Sequence, residues 1–449
     1  MKGRTKAAVV VGVVLVLVAA YDALQQAKAA AQAYIYGYPL VVMELTRKAL
    51  VADSHHNGFT HGRRFPDHTF RHVVRPNNDT LYSIAWLDLS EDAVVLTVPD
   101  TQGRYYVMPL MDAWTNVFAT VGKRSYGTAA GSYLITGPNW EGEVPRELIT
   151  IKSPTKMVWL IGRIQTNGPS DVQNVARLQE QFALTQLQQW GSGVSIPHKI
   201  QDIAASDVGK DPYREIADMT GVEFFSLFAT LLTTQSPAPA DSEMLATIAD
   251  IGLVPGEPFS VGPWSGWLLD KAKHFTHQGV IRQLEKQPAT ENGWSVRRNL
   301  IGVYGTHYGV RTGVAMVGLG ALPPEEAVYP NTKVDENGQA LTGSQAYKLH
   351  FPAGETPPSQ AFWSITVYDE QGFLVENSID RYALGDRDPL AYNPDGSLDI
   401  AIQHNAPEGA GANWLPVPSG PFTLTMRIYL PDQSFLQGNW RLPPVERVN

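Results

Sequence analysis

Apolar and polar positions divide this chain into blocks of different period. Residues 30–50, "AAQAYIYGYPLVVMELTRKAL", repeat apolar side chains every three or four positions among good helix formers, which predicts a helix. Between Arg75 and about Gln165 the texture changes. "YYVMPLMDAW", "GSYLITGP", "ELITIKSP" and "KMVWLIGRIQT" are short β-branched or aromatic runs bounded by Gly, Pro, Asn or Asp, the pattern of turn-punctuated strands. "SDVQNVARLQEQFALTQLQQW" then sets a Ser cap before a periodic stretch and predicts one long helix over 171–190. Helical spacing continues through "PYREIADMTGVEFFSLFATLLTTQ", "DSEMLATIADIGL" and "GWLLDKAKHFTHQGVIRQLEKQ". From about Tyr329 strands return as "AYKLHF", "AFWSITVYDEQGFLV" and "FTLTMRIYL". In "FWSITVYD" apolar and polar residues nearly alternate, which predicts a half-buried antiparallel strand. Strands grouped with strands and helices with helices predict an α+β fold.

The N-terminal end has its own logic. Lys2, Arg4 and Lys6 precede an uncharged run from Ala7 to Ala20, the layout of a secretory signal peptide. The run is shorter than the roughly 20 residues that a spanning helix needs. Val18, Ala19 and Ala20 suit a signal peptidase, yet helical spacing continues through "YDALQQAKAAAQ", so an uncleaved anchor stays open. Residues 1–27 are therefore expected to be a signal peptide or an N-terminal membrane anchor. The protein is expected to be periplasmic or secreted, with any membrane contact made through this segment alone.

Composition narrows the classes. At 449 residues the chain is expected to hold two or three domains, and 43% hydrophobic with 18% charged residues makes them globular. A net charge of −9 lacks the basic footprint that nucleic acid requires. Zero Cys removes disulfides, thiol nucleophiles, iron–sulfur clusters and lipoprotein anchors at once.

Specific residues bring a family into view. "AYIYGYPLVVMELTR", "RPNNDTLYSIAWLDLS" and "GRYYVMPLMDAWTNVFATVG" resemble domain of unknown function 1254. "FWSITVYDEQGFLVENSIDRYALGD" and "NWLPVPSGPFTLTMRIYLPDQSFLQGNWRLPPVERV" resemble its usual partner, domain of unknown function 1214. The stretch from "ADMTGVEFFSLFATLL" to "IGLVPGEPF" is similar to the linker of that tandem. The resemblance implies a β-barrel-like first domain, a helical cap and a C-terminal jelly-roll β-sandwich, with boundaries at 28–170, 171–328 and 329–449. It carries no catalytic residues with it.

Candidate chemistry has to come from the residues themselves. Five histidines, His55, His56, His61, His68 and His72, crowd the stretch before Arg75. A metal needs ligands converging on one point. His68 and His72 would share one on a helix, but on a strand four residues span roughly 13 Å. "HTFRHVVRP" reads as extended, and no His-Glu-x-x-His occurs, so no metal and no cofactor is expected. Gly-x-Ser-x-Gly, Gly-x-Gly-x-x-Gly and P-loop patterns are also missing. "RPNNDTLY" is more informative. Pro76 makes Arg75 extended, while Asn77, Asn78 and Asp79 favour a turn. Either Asn77 and Asp79 satisfy turn amides while Arg75 pairs with Asp79 or Asp112, or Arg75 grips an anion or carbonyl with Asp79 as base.

Further residues extend that second alternative. Asp112, Trp114 and Asn116 alternate and would share one strand face, fit for a flat polar or sugar-like ligand or for a buried network. His307 and Arg311 stand four apart, and Trp363, Asp380, Arg381, Tyr382, His404, Asn405 and Trp414 form a parallel set in the second half. Two function classes follow. The first is an enzyme acting by hydrolysis or elimination on a small organic or carbohydrate-like substrate in a polar inter-domain pocket. It would use Asp79 or Asp112 as base and Arg75 as electrophilic anchor, with Asn77, Trp114, Asn116, His307, Arg311, Trp363 and Arg381 binding the ligand. The second is a non-catalytic envelope-associated binding or structural protein.

Overall fold

The helical period near the N-terminus becomes one helix, α1 (Lys2–Leu50). The structure, a computed structural model, describes residues 2–51, 56–71, 75–200, 211–286, 291–407, 411 and 413–448, with side chains from residue 17 onward. Among the described residues no helix is long and apolar enough to cross a membrane. The chain forms two compact units. One joins Met1–Ala49, Lys210–Lys286 and Tyr304–Met316; the other joins Leu50–Gly209, Gln287–Val303 and Val317–Asn449. The architecture is mixed α+β with several sheets, as the grouping of periods predicts.

In the β-rich unit the first block of strands makes two open sheets. The larger carries β1 (Thr60–His61), β2 (Thr80–Asp88), β4 (Tyr106–Asp112), β5 (Val117–Gly122), β8 (Met157–Gln165) and β10 (Lys199–Ile200) in the order β10-β1-β2-β8-β4-β5. The smaller is β7-β6-β3-β9, built from β3 (Val94–Val98), β6 (Gly131–Thr136), β7 (Ile149–Lys152) and β9 (Ala183–Gln186). Leu81, Met108, Leu110 and Leu160 of one meet Val94, Leu96, Ile135 and Leu184 of the other in a shared apolar cluster. Neither sheet closes into a barrel, because each ends in strands without a second partner among the described residues.

One helix differs from its expectation. The helix expected over 171–190 stops early: after the short α2 (Lys123–Tyr126), α3 runs only from Val172 to Gln179, and Ala183–Gln186 pair with β3 as β9. A free edge on β3 and an apolar slot for Phe182 and Leu184 outweigh helix propensity there.

The second block forms another pair of sheets. β11 (Ala327–Val328), β14 (Ser359–Tyr368), β15 (Ala383–Gly385) and β18 (Thr423–Pro431) lie in the order β11-β18-β14-β15, with β12 (Asn331–Thr332) also on β18. Opposite them β13 (Ala346–Phe351), β16 (Leu398–Gln403), β17 (Trp414–Pro416) and β19 (Val445–Val448) run β17-β16-β13-β19. Trp363, Ile365, Val367, Leu424, Met426 and Ile428 face Tyr347, Leu349, Ile400 and Ile402 across one core. Strand β14 is the informative departure. Its alternation predicts one wet face, yet every residue from Phe362 to Tyr368 is buried. The polar face, Ser364, Thr366 and Tyr368, is covered by the Arg75–Asp79 run of the first block.

The other unit is helical and also contains α4 (Pro212–Asp218), α5 (Gly221–Thr234), α6 (Ser242–Ala249), α7 (Pro263–Glu285) and α8 (Tyr308–Val317). Thr220 and Glu223 close a capping box on α5, with Thr220 Oγ1 accepting from the Glu223 amide at 3.1 Å. Buried Lys273 donates to the carbonyls of Ile216, Ala217 and Met219 at 2.7–2.8 Å, so its charge caps the end of α4. Gly37 lets α1 approach α5, since a Cβ there would sit 2.9 Å from the Phe228 ring.

Candidate functional site

The turn before β2 is organised by Asn77. Its Oδ1 accepts from the amides of Asp79 and Thr80 at 2.9 and 3.0 Å and from Thr80 Oγ1 at 3.1 Å, as an Asx-type turn requires. The turn aims Asp79 into the protein, where it is 1% exposed. Ser364 Oγ donates to Asp79 Oδ2 at 2.8 Å, and the Arg387 guanidinium pairs with Oδ1. Arg387 also donates to the carbonyls of Asp79 and Thr166 at 3.0 Å each and lies 4.2 Å over the Phe362 ring. The partner of Asp79 is thus Arg387, from the loop after β15, and not Arg75 or any group nearby in sequence.

Arg75 is held differently. Its φ of 53° is left-handed, not the extended backbone that the following Pro predicts. Its amide donates to the Gly372 carbonyl at 2.7 Å, and its carbonyl accepts from Arg427 at 2.9 Å. Its own guanidinium donates to Thr425 Oγ1 at 2.7 Å and sits 5.7 Å from the Tyr368 ring. Burial, aided by the nearby Arg427 charge, holds its pKa below the usual arginine range. Arg427 is buried too, donating to Thr366 Oγ1 at 2.7 Å and to the Tyr368 hydroxyl at 2.6 Å. Farther along the same layer Arg163 donates to the Gly320 carbonyl at 2.7 Å, and Glu326 accepts from Arg124 at 2.6 Å. Burial raises the Glu326 carboxyl above its usual range, against the pull of Arg124. This is a closed polar layer between two sheets.

The remaining expected residues scatter. Thr80 pairs with Gln165 and Asp112 with Val158, so Asp79 and Asp112 lie near opposite ends of β8, seven residues or roughly 23 Å apart. They do not share a mouth. Asp112, Trp114 and Asn116 do not form a row either, because β4 ends at Asp112. Asp112 Oδ1 accepts from the amides of Trp114 and Asn116 at 2.9 and 2.8 Å, and Thr115 takes φ 69° to close that turn. Trp363 belongs to the sandwich core. In the helical unit His307 is exposed just before α8, whereas Arg311 is buried between the rings of Tyr36 and Tyr308, 5.5 and 5.2 Å away. Both tyrosines donate to Asp241, at 2.9 and 2.8 Å.

Among the histidines, His55 and His72 lie outside the described residues. His61 is fully buried with Nδ1 2.9 Å from Ser83 Oγ, and burial, then the charges of His198 and Arg63, lower its pKa to about 3. His68 Nδ1 lies 2.9 Å from the Tyr382 hydroxyl. Among the described residues no three such groups could hold a metal ion.

Of the expected set in the second half, Arg381, His404, Asn405 and Trp414 line a cleft of ≈ 650 Å³, beside Glu376 and Asn377. Arg381 Nη1 donates to the Trp414 carbonyl at 2.8 Å. His404 Nδ1 lies 2.8 Å from the Val417 carbonyl, so that nitrogen donates to it and Nε2 is the ring nitrogen that this bond does not use. A smaller cleft of ≈ 260 Å³ adjoins it, sharing Gly411 and Trp414. The size, with a few polar groups against apolar Trp414, Val417 and Ile379, suits a small organic ligand. Sequence reasoning missed Arg387, Arg427, Arg163 and Glu326. A signal existed for two of them: Arg163 and Arg427 are single charges inside apolar strand runs, which buried partners must explain. Arg387, flanked by Asp386 and Asp388, reads as an ordinary surface turn.

Two stability measurements check this layer. Asp79→Asn removes the buried counter-charge of the half-buried Arg387 and is expected to cost about 3 kcal/mol, near the low end for a buried pair because Asp386 remains 3.8 Å away. In urea titrations, Asp79→Asn/Arg387→Met is expected to recover part of that loss. Burial pushes the Asp386 carboxyl up to about 6, against a bond from the Trp363 amide at 3.1 Å. The unfolded value is about 3.9, so this group's contribution is present below pH ~4 and lost as pH rises through about 6. Asp386→Asn is therefore expected to raise the melting temperature at neutral pH, with the gain disappearing below pH ~4.

Two family models and a solved structure resemble this chain. Residues 56–186 match the family described as protein of unknown function DUF1254, and residues 326–433 match protein of unknown function DUF1214. No curated protein matches the chain. A crystal structure from Vibrio parahaemolyticus is similar at TM-score 0.72 and 25% identity, covering 94% of this chain and 100% of its own. Another, from Burkholderia cenocepacia, gives TM-score 0.45 and 11% identity over 96% of each chain. The chain belongs to the family in which a DUF1254 domain precedes a DUF1214 domain.

Proposed function

We propose that this is an exported ligand-binding protein whose site is the cleft lined by Arg381, His404, Asn405 and Trp414. The observation that carries the reading is that cleft, ≈ 650 Å³ with a guanidinium, an imidazole and amides around an indole. The Asp79 layer supports it by contrast, since Asp79 has both carboxylate oxygens engaged and is 1% exposed. A small polar, sugar-like ligand fits the lining: Trp414 offers apolar surface, His404 Nε2 bonds a hydroxyl, and Arg381 favours a carboxylate or similar anion. The double sheet around the cleft we read as a jelly-roll sandwich, a fold that holds such ligands, and the paired sheets of the first domain as barrel-like.

Hydrolysis or elimination at this cleft is the second reading, favoured by the His404 Nε2 that the Val417 bond does not use and by Glu376 in the same lining. Export rests on the basic and apolar leader.

Calorimetry across a panel of monosaccharides, sugar acids and small carboxylic acids tests the site. At least one compound is expected to bind, and Arg381→Ala or His404→Ala to weaken it by about tenfold or more, roughly one lost hydrogen bond to a charged group. Unchanged affinity in both variants overturns the assignment, and product formation would favour the catalytic reading. Fractionation of the native source checks export. The chain is expected in the envelope or medium, and recovery wholly from the cytosol contradicts it.

A further inference from the structure

Helix α7 buries one face and leaves the other to solvent, and the exposed face has an unusual composition. Gly266, Leu269 and Lys273 are buried. Trp264, Trp267, Lys271, His274, Phe275, Gln278 and Arg282 are exposed, at the three- and four-residue steps of one helical stripe. Trp264 is 68% exposed, Trp267 51% and Phe275 64%, in a chain whose other tryptophans are mostly packed. The two indoles stack on each other at 5.3 Å and 19°, so each covers part of the other. The exposed stripe carries Lys271 and Arg282; Asp270, the acidic residue between Trp264 and Arg282, lies off it, half-buried and accepting from the Gly221 amide at 2.6 Å.

Aromatic rings, with an amphipathic tip on indole, interleaved with cations are the composition of a helix lying in a bilayer interface. A protein partner would have to bury those cations, whereas anionic headgroups receive them. The same unit supplies a second observation. α1 is buried from Ala29 onward, but Leu17, Val18, Tyr21 and Leu24 are exposed at 64%, 52%, 62% and 65%. Leu17 and Val18 belong to the apolar run Ala7–Ala20, behind Lys2, Arg4 and Lys6, and Tyr21 and Leu24 follow it on either side of Asp22. Two separate helices of one unit thus present apolar surface with basic flanks.

We propose that the Trp264–Trp267–Phe275 face of α7 docks the helical unit on an anionic membrane surface, as a contact additional to the N-terminal segment. The rings sit at the headgroup level while Lys271 and Arg282 meet phosphate. The contact is peripheral, and it requires neither cleavage nor retention of the leader.

The Cys-free chain allows a clean test. Full-length protein with Gln278→Cys, labelled with a nitrobenzoxadiazole fluorophore, is mixed with vesicles of phosphatidylethanolamine and phosphatidylglycerol. A blue shift and brighter emission at this position are expected, together with quenching by nitroxide-labelled lipid. Adding Trp264→Ser, Trp267→Ser and Phe275→Ser is expected to abolish the shift while leaving the melting temperature unchanged. The same label at Val194→Cys, an exposed site in the other unit, serves as the control and is expected to stay unshifted. If the protein co-sediments with vesicles but position 278 shows no shift, the membrane contact belongs to α1 alone and the proposal falls. It falls as well if the shift appears without lipid as protein concentration rises, because the face then joins two copies of the chain.

Discussion

A carboxylate at 1% exposure cannot remain charged without a partner, and most of the β-rich unit is arranged around supplying one to Asp79. Arg387 comes from the loop after β15, Ser364 from the middle of β14, and the aiming turn from Asn77. Each of those groups needs partners of its own. Arg387 uses the carbonyls of Asp79 and Thr166, which tie it to the one end of the β2–β8 pair where β2 begins and β8 stops. The result is a polar layer that binds residues some 300 positions apart in sequence. Such a layer specifies one docking register, because a shift of one residue would strand several buried charges.

The left-handed Arg75 belongs to the same constraint. A non-glycine residue at φ 53° costs of order 1–3 kcal/mol unless its surroundings enforce it. Here the Gly372 carbonyl holds its amide, Arg427 holds its carbonyl, and Tyr368 donates to the next carbonyl, that of Pro76, at 2.5 Å. Three partners from the second block fix two adjacent residues of the first. Because these groups are committed to one another, chemistry on a diffusing ligand belongs elsewhere, and the sandwich's other sheet offers the cleft at Arg381 and Trp414.

The helical unit solves a similar problem on a smaller scale. Arg311 is enclosed by Tyr36 and Tyr308, whose hydroxyls both donate to Asp241. Burial, together with the bond to Asp241, pushes the Tyr308 hydroxyl up to about 12, so it stays a donor at physiological pH. Polar cores of this kind fix packing; the surface of the unit, with α7 and the start of α1, is where contact with other matter is available.

Local periodicity was enough to determine the α+β grouping, the strand of "FWSITVYD" that lies in Ser359–Tyr368 and the helix over 30–50 that lies in Lys2–Leu50. Long strings such as "RPNNDTLYSIAWLDLS" determined the family as well, because long runs carry far more information than short motifs. What periodicity could not contain is the second face of β14. Alternation reports which face is polar, and polar is equally the signature of water and of a buried network. The partner of Asp79 was hidden for the same reason: ion pairing depends on distance in space, and Arg387 is 308 residues away. Asp112, Trp114 and Asn116 followed the strand rule only while the strand lasted. Thr115 at φ 69° turned them into a loop, and backbone handedness at one residue is a tertiary outcome.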